Sequence, residues 1–256
     1  MIIFWRLLFG HLLADFTLQT NSVNHWKRSS FWGMLFHCAT HPFIYILLTY
    51  PFLKLPWVNL GFLSLNGWTC IFLLFLGHWL EDVWRVHTID RYKTPDNTLY
   101  FIWDQIIHYV AIFAVAPFLE LSNPAKTFFP EKWPIMGSLF VLVSSMTAIF
   151  IYFVEKDLFS SPFPKTFEKY AGMAERLILA LCVLAPGNLW LFFIPTWIFI
   201  MAFIRLKKWV KFSWTSFYLG VLIAIFCGST ARILYHHNED QISGMACVKQ
   251  IGTVPI

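Results

Sequence analysis

Apolar runs close to the thickness of a bilayer leave this chain few ways to fold. A membrane-crossing helix needs about 20 mostly apolar residues, and such runs lie at Ile2 to Gln19, Phe31 to Tyr50, Gly61 to Trp84, Leu99 to Leu119, Pro134 to Glu155 and Phe212 to Leu234. A seventh stretch, Gly172 to Arg205, is interrupted by Pro186-Gly187-Asn188, a turn signal that divides it into two short helices. The spacing therefore predicts an all-α, polytopic transmembrane bundle of about eight helices.

Composition agrees and closes other routes. With 58% hydrophobic and 13% charged residues and a mean hydropathy of +0.60, the chain lies outside the range of soluble, disordered or collagen-like sequences. Phe (28), Trp (13) and Tyr (9) supply side chains for lipid contact and for headgroup depth. The net charge of +5 is scattered between apolar runs, which argues for membrane lipids as partners and against nucleic acid. Five cysteines without C-x-x-C spacing (Cys38, Cys70, Cys182, Cys227 and Cys247) read as free thiols. The first apolar run carries His11 and Asp15 and no small-residue cleavage site, so it reads as a retained helix and not a signal peptide.

Charge counting orients the bundle. With eight spans, alternate loops carry thirteen of the 19 Lys and Arg residues and the opposite side carries six; one fused helix in place of two lowers that asymmetry. The positive-inside rule then places both termini outside the cytoplasm.

Polar residues inside the runs are concentrated in the first half. His11 with Asp15, His37 with His41, His78 with Asp82 and Asp104 with His108 are all i, i+4 pairs, one in each of the first four spans. That spacing stacks two side chains on one helix face, the arrangement by which one helix offers two ligands to one ion. The topology brings all four pairs to the cytoplasmic ends of their helices. An ionised Asp within a membrane costs about 2.5–3.5 kcal/mol on insertion scales, so convergence on a divalent ion (Zn, Mn or Fe) or on a buried hydrogen-bond network is expected over lipid exposure. The chain accordingly divides into a unit carrying the His/Asp pairs (1–121) and a scaffold unit with a polar C-terminal tail (122–256).

Other polar groups are assigned bland roles. Gln19 extends the His11–Asp15 line, as an outer partner or an interfacial amide. Glu81 and His87 flank the third pair off its face, and Arg85 reads as a surface ion pair. His25, Lys27 and Arg28 belong to a short polar loop. Glu175 and Arg176 open a helix, and the His236-His237-Asn238-Glu239-Asp240 cluster is a solvated tail on the opposite side.

The stretches Gly10-His-Leu-Leu-Ala-Asp-Phe-Thr-Leu-Gln19, Leu35-Phe-His-Cys-Ala-Thr-His41, Gly77-His-Trp-Leu-Glu-Asp82 and Asp104-Gln-Ile-Ile-His108 resemble the DUF3307 family of bacterial integral membrane proteins, as does Gly172-Met-Ala-Glu-Arg-Leu177. The resemblance implies a multi-helix protein of the bacterial cytoplasmic membrane with these polar positions, and it implies no reaction. Glu81 and the Trp84-Arg85-Val86-His87 run depart from the more apolar pattern expected at the third motif. Three function classes remain: a metal-dependent hydrolase of a lipid ester or phosphoester, a divalent-cation or proton transporter, and a structural subunit of a larger membrane complex. Lipid oxidation at a di-iron site is a weaker variant of the first, because adjacent-histidine boxes are absent from those helix ends.

Overall fold

The computed structural model describes residues 2–117, 133–208 and 213–251, with side chains up to residue 233. The His236 to Asp240 cluster, Cys247, Lys126 and Lys132 lie outside the described residues or side chains. The described chain is a helical bundle in two compact units, Met1–Pro164 and Lys165–Ile256.

In the first unit, α1 (Ile2–Leu12) continues into a wider π turn at Leu13–Leu18. It is followed by α2 (Asn21–Ser29), α3 (Phe31–Thr49), α4 (Gly67–Tyr92), α5 (Thr98–Val115), α6 (Trp133–Val141) and α7 (Thr147–Phe159), the last two joined by a second π turn at Leu142–Met146. Helix α1 packs against α3, α5 and α6, while α3 packs on α4, α4 on α5, and α5 on α7. Because α6 lies on α1, the fifth apolar run belongs with the His/Asp helices, and the units divide near residue 164 and not at 121.

The burial pattern inverts that of a soluble protein. On α3, Phe36, Phe43 and Leu47 are exposed while His37 and His41 are buried; on α5, Trp103, Ile106 and Val110 are exposed while Asp104 and His108 are buried. Apolar side chains face outward where lipid would be and polar ones face each other, as expected when the solvent is hydrocarbon. Four helical stretches, Phe31–Phe52, Thr98–Val115, Trp133–Phe159 and Trp214–Ile233, are long and apolar enough to cross a membrane, and Trp190–Leu206 is apolar but shorter.

Two expectations are corrected here. Residues 21–29 form a helix in place of a polar loop: the Thr20 side chain accepts from the Val23 N–H to start α2 (3.3 Å), and Ser30 both ends it and caps α3 by accepting from Trp32 N–H (3.2 Å). The third run begins at Gly67 and not Gly61, because Pro56–Asn59 (β1) and Ser64–Asn66 (β2) pair as a small hairpin turned by Gly61 at φ +81°. Asn66 then caps α4 by accepting from Thr69 N–H at 3.0 Å.

The corner between α2 and α3 depends on Gly33. A Cβ there would stand 2.3 Å from the Trp26 carbonyl oxygen, a backbone atom that cannot move aside alone. Gly33→Ala is expected to lower stability by about 1–3 kcal/mol, the usual range for overpacking. Thermal unfolding in detergent measures it, and an unchanged midpoint would show that α2 does not need this corner.

The second unit consists of α8 (Thr166–Val183), α9 (Trp190–Leu206) and α10 (Trp214–Ile251), with α8 packed on both others. The expected break is present: Gly187 adopts φ +56°, and Arg232 donates to the carbonyls of Val183, Ala185 and Gly187, which the end of α8 leaves without helical partners. Glu175 and Arg176 lie inside α8, since that helix starts at Thr166; Glu175 accepts two hydrogen bonds from Arg205 on α9, at 2.9 and 2.7 Å.

Candidate metal centre

Each site helix presents one polar stripe at helical spacing. The buried faces carry His11, Ala14 and Asp15 on α1 and its π turn; His37, Cys38 and His41 on α3; His78, Glu81 and Asp82 on α4; and Asp104, Gln105 and His108 on α5. Gly10 allows α1 to approach α3 closely, because a Cβ there would fall 2.9 Å from the Tyr45 ring. The π turn beginning at Leu13 carries Asp15, a local widening frequently found at functional positions.

The stripes meet at Asp15. Its Oδ1 lies 3.1 Å from His41 Nε2, 3.3 Å from His37 Nε2 and 3.8 Å from His78 Nε2, and the His37 and His78 Nε2 atoms are 3.4 Å apart. A tetrahedral ion with ligands at about 2.0–2.1 Å holds its ligand atoms about 3.3–3.4 Å from one another. The observed separations bracket that edge length. Asp15 Oδ1 and both nitrogens of His41 are buried without a well-oriented hydrogen-bond partner. Lone-pair atoms gathered in this way, all buried, form a group that could hold a metal ion.

A second gathering adjoins the first. His108 Nε2 lies 3.3 Å from Glu81 Oε2 and 3.5 Å from Asp104 Oδ1, and these three with Asp82 form another group with metal-ligand spacing. Asp82 links the two, with Oδ2 at 3.3 Å from His78 Nε2 and 3.4 Å from His37 Nε2. Cys38 Sγ approaches the same oxygen at 3.6 Å and forms a third group with His78 and Asp82.

Eight residues were singled out in the sequence, and seven of them (Asp15, His37, His41, His78, Asp82, Asp104 and His108) fall in these groups. His11 is placed differently: its Nε2 faces the other Asp15 oxygen, Oδ2, at 3.5 Å and Gln105 Oε1 at 3.3 Å, so it orients Asp15 from behind. Three further residues take part that the sequence reading set aside. Glu81 is buried with His78, Asp82 and Arg85 on one i, i+3, i+4, i+7 stripe, a signal present in the spacing. Arg85, expected as a surface ion pair, is largely buried and donates to Asp104 Oδ2 at 2.8 Å and to Asp96 Oδ1 at 3.2 Å. Lys27 reaches from α2 to Asp82 Oδ1 at 2.6 Å and to Gln19 Oε1 at 3.4 Å, and nothing local in the sequence foretells that contact.

Charge is balanced at the rim. Burial would pull the Lys27 ammonium down, but Asp82 and Asp15 outweigh it and hold the group above its ordinary value. Burial would likewise raise Asp96, whereas Arg28 at 2.9 Å and Arg85 keep its carboxyl below the usual range. His25 and His87 are exposed and take no part in the groups.

Fold and site together define a class: a helical protein of membrane character whose first unit buries a His/carboxylate cluster with the spacing of metal ligands. A family model described as "Protein of unknown function (DUF3307)" matches residues 3–136, the segment that carries every residue of the cluster. The chain belongs to the DUF3307 family. No curated protein and no solved structure matches it.

Proposed function

We propose that the chain is a metal-dependent hydrolase of a bacterial cytoplasmic membrane, acting on an ester or phosphoester of a lipid whose headgroup lies at the cytoplasmic interface. The observation that carries this reading is the group of four buried ligand atoms, from the π turn after α1 and from α3 and α4, at tetrahedral edge distances, with Asp15 Oδ1 and His41 Nε2 left without a hydrogen-bond partner. Asp15, His37, His41 and His78 would hold the ion. Three imidazole nitrogens and a carboxylate suit Zn, Mn or Fe. Such an ion lowers the pKa of its bound water towards about 7 and polarises the attacked centre.

The surrounding residues have separable tasks. His11 engages Asp15 Oδ2 and leaves Oδ1 facing the three imidazoles. Gln105 accepts through Oε1 from His11 Nε2 in the tautomer that carries the proton there, and donates through Nε2 to Asp104, tying α5 to α1. Lys27 and Arg85 supply cationic donors beside the cluster, suited to an anionic headgroup oxygen. Transport is disfavoured by position. Beyond the cluster, the buried faces of α3 and α5 continue as Ile44, Tyr45 and Ile112, and the buried Arg6 and Thr49 donate to the backbone carbonyls of Leu48 and Tyr45, so the described residues form no continuous line of ionisable groups along the helices.

The test uses the full chain in detergent micelles with Mn²⁺ and mixed phospholipid vesicles, read by mass spectrometry. Product release that EDTA abolishes and Asp15→Asn removes is expected. Stoichiometric metal with no product, together with movement of ⁶⁵Zn across proteoliposomes, would replace the hydrolase by a transporter. Absence of bound metal would leave a structural hydrogen-bond network.

A further inference from the structure

The second gathering raises the question of when a second ion is stable. Counted in their ionised form, the cluster holds four buried carboxylates, Asp15, Glu81, Asp82 and Asp104, against two largely buried cations, Lys27 and Arg85. Two negative charges remain, and one divalent ion at the Asp15 group cancels them. Asp96 and Arg28 neutralise each other outside this set.

The remaining ligands are nevertheless aimed at a further position. Both Glu81 oxygens, Asp104 Oδ1 and His108 Nε2 are buried without hydrogen-bond partners, although His108 Nε2 is 3.3 Å from Glu81 and 3.5 Å from Asp104. Leaving such groups unsatisfied in a water-poor interior is costly. The two gatherings are close: the His78 and His108 rings are 4.2 Å apart between centroids, and Asp82 faces both. Paired catalytic ions stand about 3.5–4 Å apart. A second divalent ion would leave the buried cluster with two uncompensated positive charges, which a low-dielectric site resists.

We propose that Glu81, Asp104 and His108, with Asp82 shared, form a second divalent-cation position that fills together with a phosphate dianion. This rests on the reading that the Asp15 group holds the first ion. It narrows the substrate class, because a phosphate monoester carries the two negative charges that restore neutrality and a carboxylic ester carries none. Linkage makes the effect reciprocal: phosphate tightens the second ion by the factor by which that ion tightens phosphate.

The experiment titrates the purified full chain in detergent with Mn²⁺, with and without inorganic phosphate, counting ions by elemental analysis and detecting paired ions by electron paramagnetic resonance. One ion per chain is expected without phosphate. With phosphate, a second ion is expected to bind about 5–150-fold more tightly, the usual span of coupling between sites, with an exchange-coupled signal. Glu81→Gln and Asp104→Asn are expected to keep the first ion and lose the phosphate-dependent second, the retained ion reporting an intact fold. A second ion whose affinity ignores phosphate, a single ion under all conditions, or variants that bind the second ion as wild type does would each overturn the proposal while leaving the hydrolase reading standing. Failure to bind any ion would overturn both.

Discussion

Asp15→Asn is expected to weaken binding of the first ion by more than about 100-fold, whereas His11→Ala, which removes a residue behind the ligand, should cost the roughly 10–100-fold typical of outer-shell changes. The difference follows from geometry. Asp15 Oδ1 is the atom on which His37, His41 and His78 converge, and asparagine would present there either a weaker neutral oxygen or an amide that cannot ligate. His11 touches only Oδ2 and Gln105. Competition against a chromogenic chelator in detergent measures both affinities. Helix content should not change, because the backbone bonds of each span are made within the span, and circular dichroism checks this. Equal losses from the two variants would mean that Asp15 orients other groups and does not itself hold the ion.

Arg85→Met is expected to destabilise the first unit by about 3–5 kcal/mol, the range for removing one partner of a buried ion pair. Arg85 donates to Asp104 at 2.8 Å and Asp96 at 3.2 Å, with only 13% of its side chain and 5% of that of Asp104 exposed. Its loss leaves Asp104 with Gln105 as its remaining donor to Oδ2, in a cluster that already holds Glu81 and Asp82. Adding Asp104→Asn should restore much of the loss, since the second change removes the charge that the first left uncompensated. Chemical unfolding of the single and double variants forms the cycle. A single variant as stable as wild type would show that the arginine is solvated in the membrane-bound protein.

The sequence by itself determined the long apolar helices and their polar stripes, though not the short α2. Runs of apolar residues specify spans whatever surrounds them, because no other backbone arrangement satisfies its own hydrogen bonds in hydrocarbon short of a closed barrel. The i, i+4 spacing of His37 with His41 and of His78 with Asp82 fixes a shared face through the helix period alone, and the break at Gly187 follows from local turn chemistry. The same local rule, applied at i, i+3, reaches Glu81 from His78, so that residue was legible. What tertiary structure decided is which stripe atoms meet. Lys27 neutralises Asp82 only because the Gly33 corner folds α2 back against α3, a contact 55 residues apart in the chain. His11 and Asp15 share one face, yet the approach of α3 and α4 gives Oδ1 to three imidazoles and leaves His11 the other oxygen. Helical periodicity sets the face on which a side chain lies; the packing of one helix against the next sets the atom it points at.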